Sequence, residues 1–195
     1  MKSIEFFIII ILIISVIIFI KISHKDVIYT VSILDNKEYL VQDSDDKDKA
    51  VNILATLTQN IIIIKNHLDN HKNDIYKDYK PYIEQLSTRL KNCEISENSP
   101  NSSYTSYSVN KGEEIVFCIR SKKNANQLHD INLLMYVTLH EISHVACPEE
   151  GHTVLFKKIF AFFTDTAIKL GLYTKINFNE NPVEYCGIMI TDSII

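Results

Sequence analysis

The pattern His-Glu-x-x-His at positions 140–144 restricts the structure of this chain more than any other stretch of its 195 residues. On a helix, His140 and His144 lie one turn apart on the same face, so both imidazoles can reach one metal ion. Glu141 follows the first histidine, where its carboxylate can accept a proton from a water molecule activated at that metal. The pattern therefore predicts a helix that carries two zinc ligands and a general base, as in zinc peptidases.

The residues upstream of this pattern predict a helix with a buried face. Asp130 is an acidic residue at the expected helix start, where its side chain can cap free backbone N–H groups. Apolar residues then recur at helical spacing, at Leu133, Leu134, Val137, Ile142 and Val145. Pro148 ends the helix soon after. In the alternative interpretation, the histidine-glutamate pair is only a solvated polar edge of the helix.

A catalytic zinc usually has three protein ligands, so a third must come from outside the pattern. We predict His152, because Gly151 allows a sharp backbone turn before a new helix. Cys147 lies on the histidine face but roughly 10 Å along the helix from His140, too far for one ion to bind both. Three carboxylates remain as alternatives: Glu149, Glu150 and Asp165.

These residues carry a resemblance to a known family. The pattern at 140–144, followed by Gly151-His152 and an aromatic helix at 155–160, resembles the WLM and Spartan-like (SprT-type) zinc metallopeptidases, which also place a histidine after a downstream glycine. The longer run from TSYSVNKGEEIVFCIR through LMYVTLHEISHVACPEEGHT to NPVEYCGIMI resembles uncharacterised WLM-like proteins of large DNA viruses. The resemblance covers about residues 51–190.

The resemblance implies an α+β, minigluzincin-like zinc metallopeptidase domain with a small antiparallel sheet and packed helices. His140, His144 and His152 are the implied zinc ligands, and Glu141 is the implied general base. The implied partner is a protein or peptide substrate.

A run of Ile, Leu, Val and Phe, interrupted by one serine, extends from position 6 to 20. With its neighbours it reaches the roughly 20 residues needed to cross a bilayer, so we predict an N-terminal transmembrane anchor within residues 1–26. The basic residues that follow lack a small-x-small cleavage site, which disfavours a cleaved signal peptide. Lys21 and Lys25 follow the span, whereas Lys2 precedes it. By the positive-inside rule, this favours a single-pass membrane protein with a cytoplasmic catalytic domain.

The next segment predicts a β-hairpin followed by an acidic joint. Residues 27–34 alternate in polarity, 35–37 are turn residues, and 38–42 can return as a second strand. Residues 43–48 are mostly Asp. We therefore predict a hairpin and linker at 27–49 and the metallopeptidase-like domain at 50–195, beginning with a core helix at 50–71.

A second hairpin is predicted just before the motif helix. Residues 104–109 and 114–120 flank Asn110-Lys111-Gly112, and Gly accepts the positive φ that such turns need. By resemblance, the strand at 114–120 is a candidate edge strand that pairs with extended substrate. A purely structural hairpin is the alternative.

The C-terminal part predicts an amphipathic helix at 153–170, ended by Gly171, and then a tail that contains Tyr185. A tyrosine near the zinc can donate a hydrogen bond to the oxyanion that forms during peptide attack. Tyr185 is our candidate for this role, with simple packing as the alternative.

The net charge and the cysteine content limit which functions and cellular compartments remain possible. The net charge is −4 and the isoelectric point about 6.0, so charge does not indicate binding to nucleic acid. The four cysteines, Cys93, Cys118, Cys147 and Cys186, contain no C-x-x-C pair. We interpret them as buried thiols in a reducing compartment rather than as two disulfides.

The sequence thus predicts a membrane-anchored metallopeptidase in which zinc activates water and Glu141 is the general base. The alternative is a membrane-tethered scaffold or binding protein whose zinc site is structural. A structural site is closed by a fourth protein ligand, such as Cys147 or Glu150, whereas a catalytic site keeps that position open.

Overall fold

The computed structural model describes residues 2–23, 26–124 and 127–195, and within the first helix it describes the side chains of residues 7–17. The helices are α1 (Lys2–Ser23), α2 (Lys47–His71), α3 (Lys80–Arg89), α4 (Ile131–Ala146) and α5 (Val154–Lys169). The strands are β1 (Val27–Val31), β2 (Glu38–Gln42), β3 (Glu94–Glu97), β4 (Tyr107–Val109), β5 (Glu114–Phe117), β6 (Val183–Tyr185) and β7 (Ile188–Ile190).

Among the described residues, no helix combines the length and the apolar character needed to span a membrane. A helix that spans a bilayer needs roughly 20 consecutive apolar residues. The predicted transmembrane anchor is therefore wrong, and so is the single-pass membrane location that depends on it. Lys25 and the side chains of Lys2 and Lys21, on which the predicted orientation rests, lie outside the described residues.

The first predicted hairpin is confirmed, because β1 and β2 pair antiparallel with Val27 opposite Gln42 and Val31 opposite Glu38. Asn36 in its turn has a φ of 57°, a conformation that Asn tolerates better than most residues. The predicted core helix is also present as α2, with a buried apolar stripe that includes Leu54, Leu57 and Ile64. The proposed domain boundaries at 27–49 and 50–195 stay a prediction.

The central sheet differs from the expected one. Its strand order is β3-β5-β4, with β3 parallel and β4 antiparallel to β5. The prediction of an antiparallel sheet is therefore wrong for the β3–β5 pair, because residues 94–97 form a strand that lies parallel to β5. The prediction of residues 114–120 as a free edge strand is wrong for the same reason, because β5 has a partner on each side. The edge strands of this sheet are β3 and β4.

The motif helix α4 lies at the centre of the packing. Asp130 caps its start, accepting hydrogen bonds from the N–H groups of Asn132 at 2.9 Å and Leu133 at 3.3 Å. Helices α2, α3 and α5 and strand β4 all contact it. From Leu133 to the end of α4, every residue is buried except His140 and His144, which are partly exposed. Beyond its first two residues, α4 is thus open to solvent only at its two histidines.

One pair of cysteines corrects the prediction of free thiols. Cys118 and Cys186 form a disulfide with a Cα–Cα distance of 6.3 Å, whereas Cys93 and Cys147 are free. The two residues are 68 positions apart, and they meet because the segment that ends β6 packs beside the end of β5. Sequence spacing alone cannot show such a contact.

Candidate metal centre

Three histidine nitrogens meet at the exposed end of α4. The Nε2 atoms of His140 and His144 are 3.1 Å apart, and His152 Nε2 lies 3.0 Å from the former and 3.2 Å from the latter. Among the residues that the structure describes, these three are the group of His, Cys, Asp or Glu side chains placed to hold one metal ion. The structure therefore brings together the three residues expected as ligands.

Hydrogen bonding alone does not account for this triangle. In a neutral imidazole, each Nε2 is either a donor or an acceptor, but never both. Since the three Nε2 atoms share only two roles, at least two of them must both be donors or both be acceptors. Two like atoms repel each other, so at least one of the three contacts is repulsive. A cation among the nitrogens would remove that repulsion.

The distances between the nitrogens fit a zinc ion. With a zinc–nitrogen bond of about 2.05 Å and tetrahedral geometry, ligand nitrogens lie roughly 3.3 Å apart. The observed separations of 3.0 to 3.2 Å are close to this value. Imidazole is also a preferred zinc ligand. The residues present therefore fit the implied metal in number, type and spacing.

The local sequence explains how His152 reaches the helix histidines. Cys147 leaves the helix in an extended conformation, and Gly151 has a φ of 73°, in the left-handed region that favours glycine. Thr153 then caps α5, its hydroxyl accepting a hydrogen bond from the N–H of Phe156 at 3.2 Å. The chain thus turns back within a few residues and places His152 opposite the end of α4.

The other candidate ligands lie outside the triangle. Cys147 is fully buried, and Asp165 is exposed on α5, where it forms an ion pair with Lys169 at 2.5 Å. The Glu150 carboxylate lies 3.0 Å from Lys111 Nζ. Glu149 is exposed. None of these four belongs to the group of metal-binding side chains that the described residues form.

The environment of His140 and His144 keeps both imidazoles neutral, which is the state that binds a metal. Burial, reinforced by the neighbouring histidines, lowers the pKa of His140 to about 3. Burial also lowers the pKa of His144 to about 4, with His152 and the Lys111 cation acting in the same direction. Phe156 stacks on the His144 ring at a centroid distance of 4.1 Å and supplies part of this apolar surrounding.

Glu141 is buried, with 5% of its surface exposed, and it lines the same cavity as the three histidines. Desolvation raises the pKa of its carboxyl to about 8 in the metal-free protein. A carboxylate in such a place is a stronger base than an exposed glutamate. The sequence pattern alone gives its position on the helix, whereas its burial depends on the packing around α4.

The triad lies on the wall of a cavity of about 1120 Å³. One wall of this cavity is formed by β4 and the turn after it. The other walls come from α4, the start of α5, and the segment from β7 onward, through residues such as Tyr136, Phe160, Ile190 and Ile194. The cavity therefore combines an open strand edge, an apolar surface and the three histidines.

Tyr185 also lines this cavity and is 3% exposed. Its hydroxyl is hydrogen bonded to Ser106 Oγ, which in turn accepts a hydrogen bond from the N–H of Cys118 at 3.0 Å. Burial raises the pKa of the Tyr185 phenol above its usual range, so the hydroxyl keeps its proton at neutral pH. Ser106 cannot be recognised from the sequence, because a serine in a Ser- and Asn-rich segment carries no signal of this contact.

Comparison with solved structures gives weak likenesses. The crystal structures of Wss1 from Saccharomyces cerevisiae and of a Wss1 mutant both align with a TM-score of 0.48 and 15% identity. Each alignment covers 68% of this chain, and covers 89% of the former and 91% of the latter. A likeness of this size defines neither the fold nor the activity of the chain. The resemblance to the WLM family stays a prediction.

Comparison of sequences identifies relatives in viruses, as the sequence analysis predicts. No protein-family model matches the chain. Uncharacterized protein 136R of Invertebrate iridescent virus 6 is 48% identical over 69 residues, which are 35% of this chain and 38% of that protein. Uncharacterized protein R325 of Acanthamoeba polyphaga mimivirus is 45% identical over 175 residues, which are 90% of this chain and 88% of that protein. At this identity and coverage, the chain belongs to the same family as protein R325 of the mimivirus.

Proposed function

We propose that this protein is a zinc-dependent metallopeptidase, with His140, His144 and His152 as the metal ligands and Glu141 as the general base. The observation that carries the proposal is the triangle of three Nε2 atoms beside a buried glutamate on the wall of an open cavity. When bound, zinc would supply Lewis acidity to a water molecule and to a peptide carbonyl.

The residues of the chain would perform the proton transfers. Glu141 accepts a proton from the attacking water and passes it to the amine that leaves. When Ser106 donates to the Tyr185 hydroxyl oxygen, the phenolic proton of Tyr185 is free to stabilise the oxyanion of the substrate. The buried position of Tyr185 in the same cavity supports this role.

The arrangement of β4 supports a peptide as the substrate. β4 pairs with β5 on one side, and among the described residues no strand pairs with its other edge. Residues 105–108 also line the cavity that holds the histidines. An extended peptide can add to such an edge through backbone hydrogen bonds, which would bring its carbonyl groups past Glu141.

The number of ligand side chains supports catalysis over a structural zinc site. A structural site requires a fourth protein ligand, and the expected candidates were Cys147 and Glu150. Within the described part of the chain, the metal-binding group consists of the three histidines alone. Glu150 is instead paired with Lys111.

The test compares zinc content and hydrolysis of quenched fluorescent peptides in the parent protein and in two variants. Glu141→Gln should keep its zinc but lose roughly 10²–10⁴-fold in rate, because only the basic carboxylate is removed. Glu149→Gln, at an exposed glutamate outside the metal-binding group, is the matched control and should retain the parent rate. A zinc-loaded parent that cleaves nothing would instead support the scaffold function.

The ligand set is tested separately by zinc titration. His152→Ala should weaken zinc binding by about an order of magnitude or more, whereas Glu150→Gln and Asp165→Asn should have much smaller effects. An unchanged affinity in His152→Ala would move the third ligand elsewhere.

A further inference from the structure

The turn between β4 and β5 carries a lysine that contacts the segment between the second and third histidines. Lys111 Nζ donates to the carbonyl oxygens of Cys147, Pro148 and Glu149, at 3.0, 3.2 and 2.8 Å. The same atom lies 3.0 Å from a carboxylate oxygen of Glu150. An ammonium group has three N–H donors, so these four acceptors occupy it fully. Lys111 is therefore engaged within the chain and has no donor left for a substrate.

The turn is held firmly against the end of α4. Lys111 itself has a φ of 55°, and Gly112 has a φ of 118°. A Cβ added at Gly112 would approach Val145 Cγ1 to 3.0 Å and Arg89 Cβ to 3.2 Å. Arg89 Nη1 in turn donates to the carbonyl oxygen of Val145 at 2.6 Å. Arg89 thus satisfies a carbonyl group in the last turn of α4, where the helix leaves it without a partner, and Lys111 binds the carbonyl groups of the residues that follow.

The three histidines differ in how they are held. His140 and His144 project from a helix that is packed on nearly all sides. His152 is exposed and follows residues 147–151, which form neither helix nor strand. Its position relative to the helix histidines therefore depends on the conformation of that short segment, and Lys111 binds three consecutive carbonyl groups of the segment.

We propose that Lys111 is a positioning residue for the third metal ligand. By binding the carbonyl groups of residues 147–149, it fixes the path of the chain that presents His152 Nε2 to the other two nitrogens. The inference rests on the proposed binding of a metal by the three histidines. It adds a residue that touches neither the metal nor the substrate and that sets the affinity of the site.

The test is the zinc affinity of Lys111→Met, measured in the full chain by competition with a chromophoric chelator. Methionine keeps much of the side-chain length and removes the three donors. Loss of a partner that orients a ligand typically weakens metal binding by about 10–100-fold, which is the expected result. Simple electrostatics predicts the opposite sign, because removal of a nearby positive charge favours a divalent cation.

Lys157→Met is the matched control. Lys157 lines the same cavity and is exposed, and it forms no ion pair with any described residue. Its replacement should leave zinc affinity unchanged or slightly stronger. Lys111→Arg keeps a cation with several donors and should recover much of the affinity that Lys111→Met loses. Equal weakening in the two methionine variants, or parent-like affinity in Lys111→Met, would overturn the proposal.

A double-mutant cycle separates positioning from a general loss of stability. If Lys111 acts through His152, then Lys111→Met should cost almost nothing further in a His152→Ala background. The same fractional loss in both backgrounds would contradict the proposal. A His152→Ala variant with parent affinity would overturn the ligand set and this inference together, whereas a weakened His152→Ala beside a parent-like Lys111→Met overturns the inference alone.

Discussion

Arg120 joins three separate parts of the chain through a side chain that is only 6% exposed. Its Nε donates to a Glu97 carboxylate oxygen at 2.7 Å, and its two Nη atoms donate to Asp46 at 2.5 Å and to Ser44 Oγ at 2.9 Å. The second oxygen of Glu97 accepts a hydrogen bond from the N–H of Gln42 at 2.7 Å. Arg120→Met would remove the cation at the centre of this network.

The expected loss follows from the burial of the partners. The Glu97 side chain has no exposed surface, so without Arg120 its charge is buried and unpaired. Removal of one partner of a buried pair costs about 3–5 kcal/mol. Asp46 can return to water, since its side chain is 25% exposed, and this favours the lower end of the range. We expect about 3 kcal/mol, or about 6–12 °C in Tm for a chain of this size.

The loss should depend on pH with a defined sign. Desolvation already raises the pKa of Glu97 above its ordinary value in the presence of Arg120, and removal of the arginine raises this pKa further. When the pKa of a carboxyl is higher in the folded state than in the unfolded state, the contribution of that group to protein stability is fully present below the unfolded-state pKa. This contribution is lost as the pH rises through the folded-state pKa. The deficit of Arg120→Met should therefore be larger at pH 8 than at pH 5.

The assay is urea unfolding of the parent and the variant at both pH values. Lys169→Met is the control, because it removes a cation from the exposed ion pair with Asp165, whose side chains are 65% and 53% exposed. That change should leave the free energy of unfolding almost unchanged, because an exposed ion pair contributes little. The double variant Glu97→Gln with Arg120→Met should lose less than Arg120→Met alone, since no buried charge remains. An Arg120→Met protein as stable as the parent at pH 8, or with an equal deficit at both pH values, would refute the reasoning.

Three further predictions concern the elements that support the site. Cys118→Ser opens a disulfide that spans 68 positions and should lower the free energy of unfolding by about 4 kcal/mol. A reductant should lower the free energy of unfolding of the parent but not that of the variant. Asp130→Ala removes the cap of α4 and should cost about 1 kcal/mol in urea unfolding, and an unchanged midpoint would argue against the cap. Burial lowers the pKa of His129, whose Nε2 accepts a hydrogen bond from the N–H of Cys186, so stability should fall as the pH drops below about 6.5. His129→Gln should remove that part of the pH dependence, and a parent-like profile would contradict its assignment.

The sequence by itself determined the elements whose hydrogen bonds join residues close in the chain. The apolar spacing and the Asp130 cap define α4, and the turn residues at 35–37 define the β1–β2 hairpin. In both cases the bonded residues are near neighbours in sequence, so local composition is sufficient. The one-turn spacing of His140 and His144 is likewise a property of any helix.

Only the tertiary structure decided which distant segments meet. β3 lies parallel to β5, and parallel strands need a long connection whose pairing leaves no local pattern in the sequence. This pairing makes β4, rather than β5, the edge strand at the cavity. The disulfide of Cys118 with Cys186 and the contacts of Lys111 with residues 147–149 arise in the same way. Each depends on how packed helices and strands bring remote residues together, and spacing along the chain does not encode that arrangement.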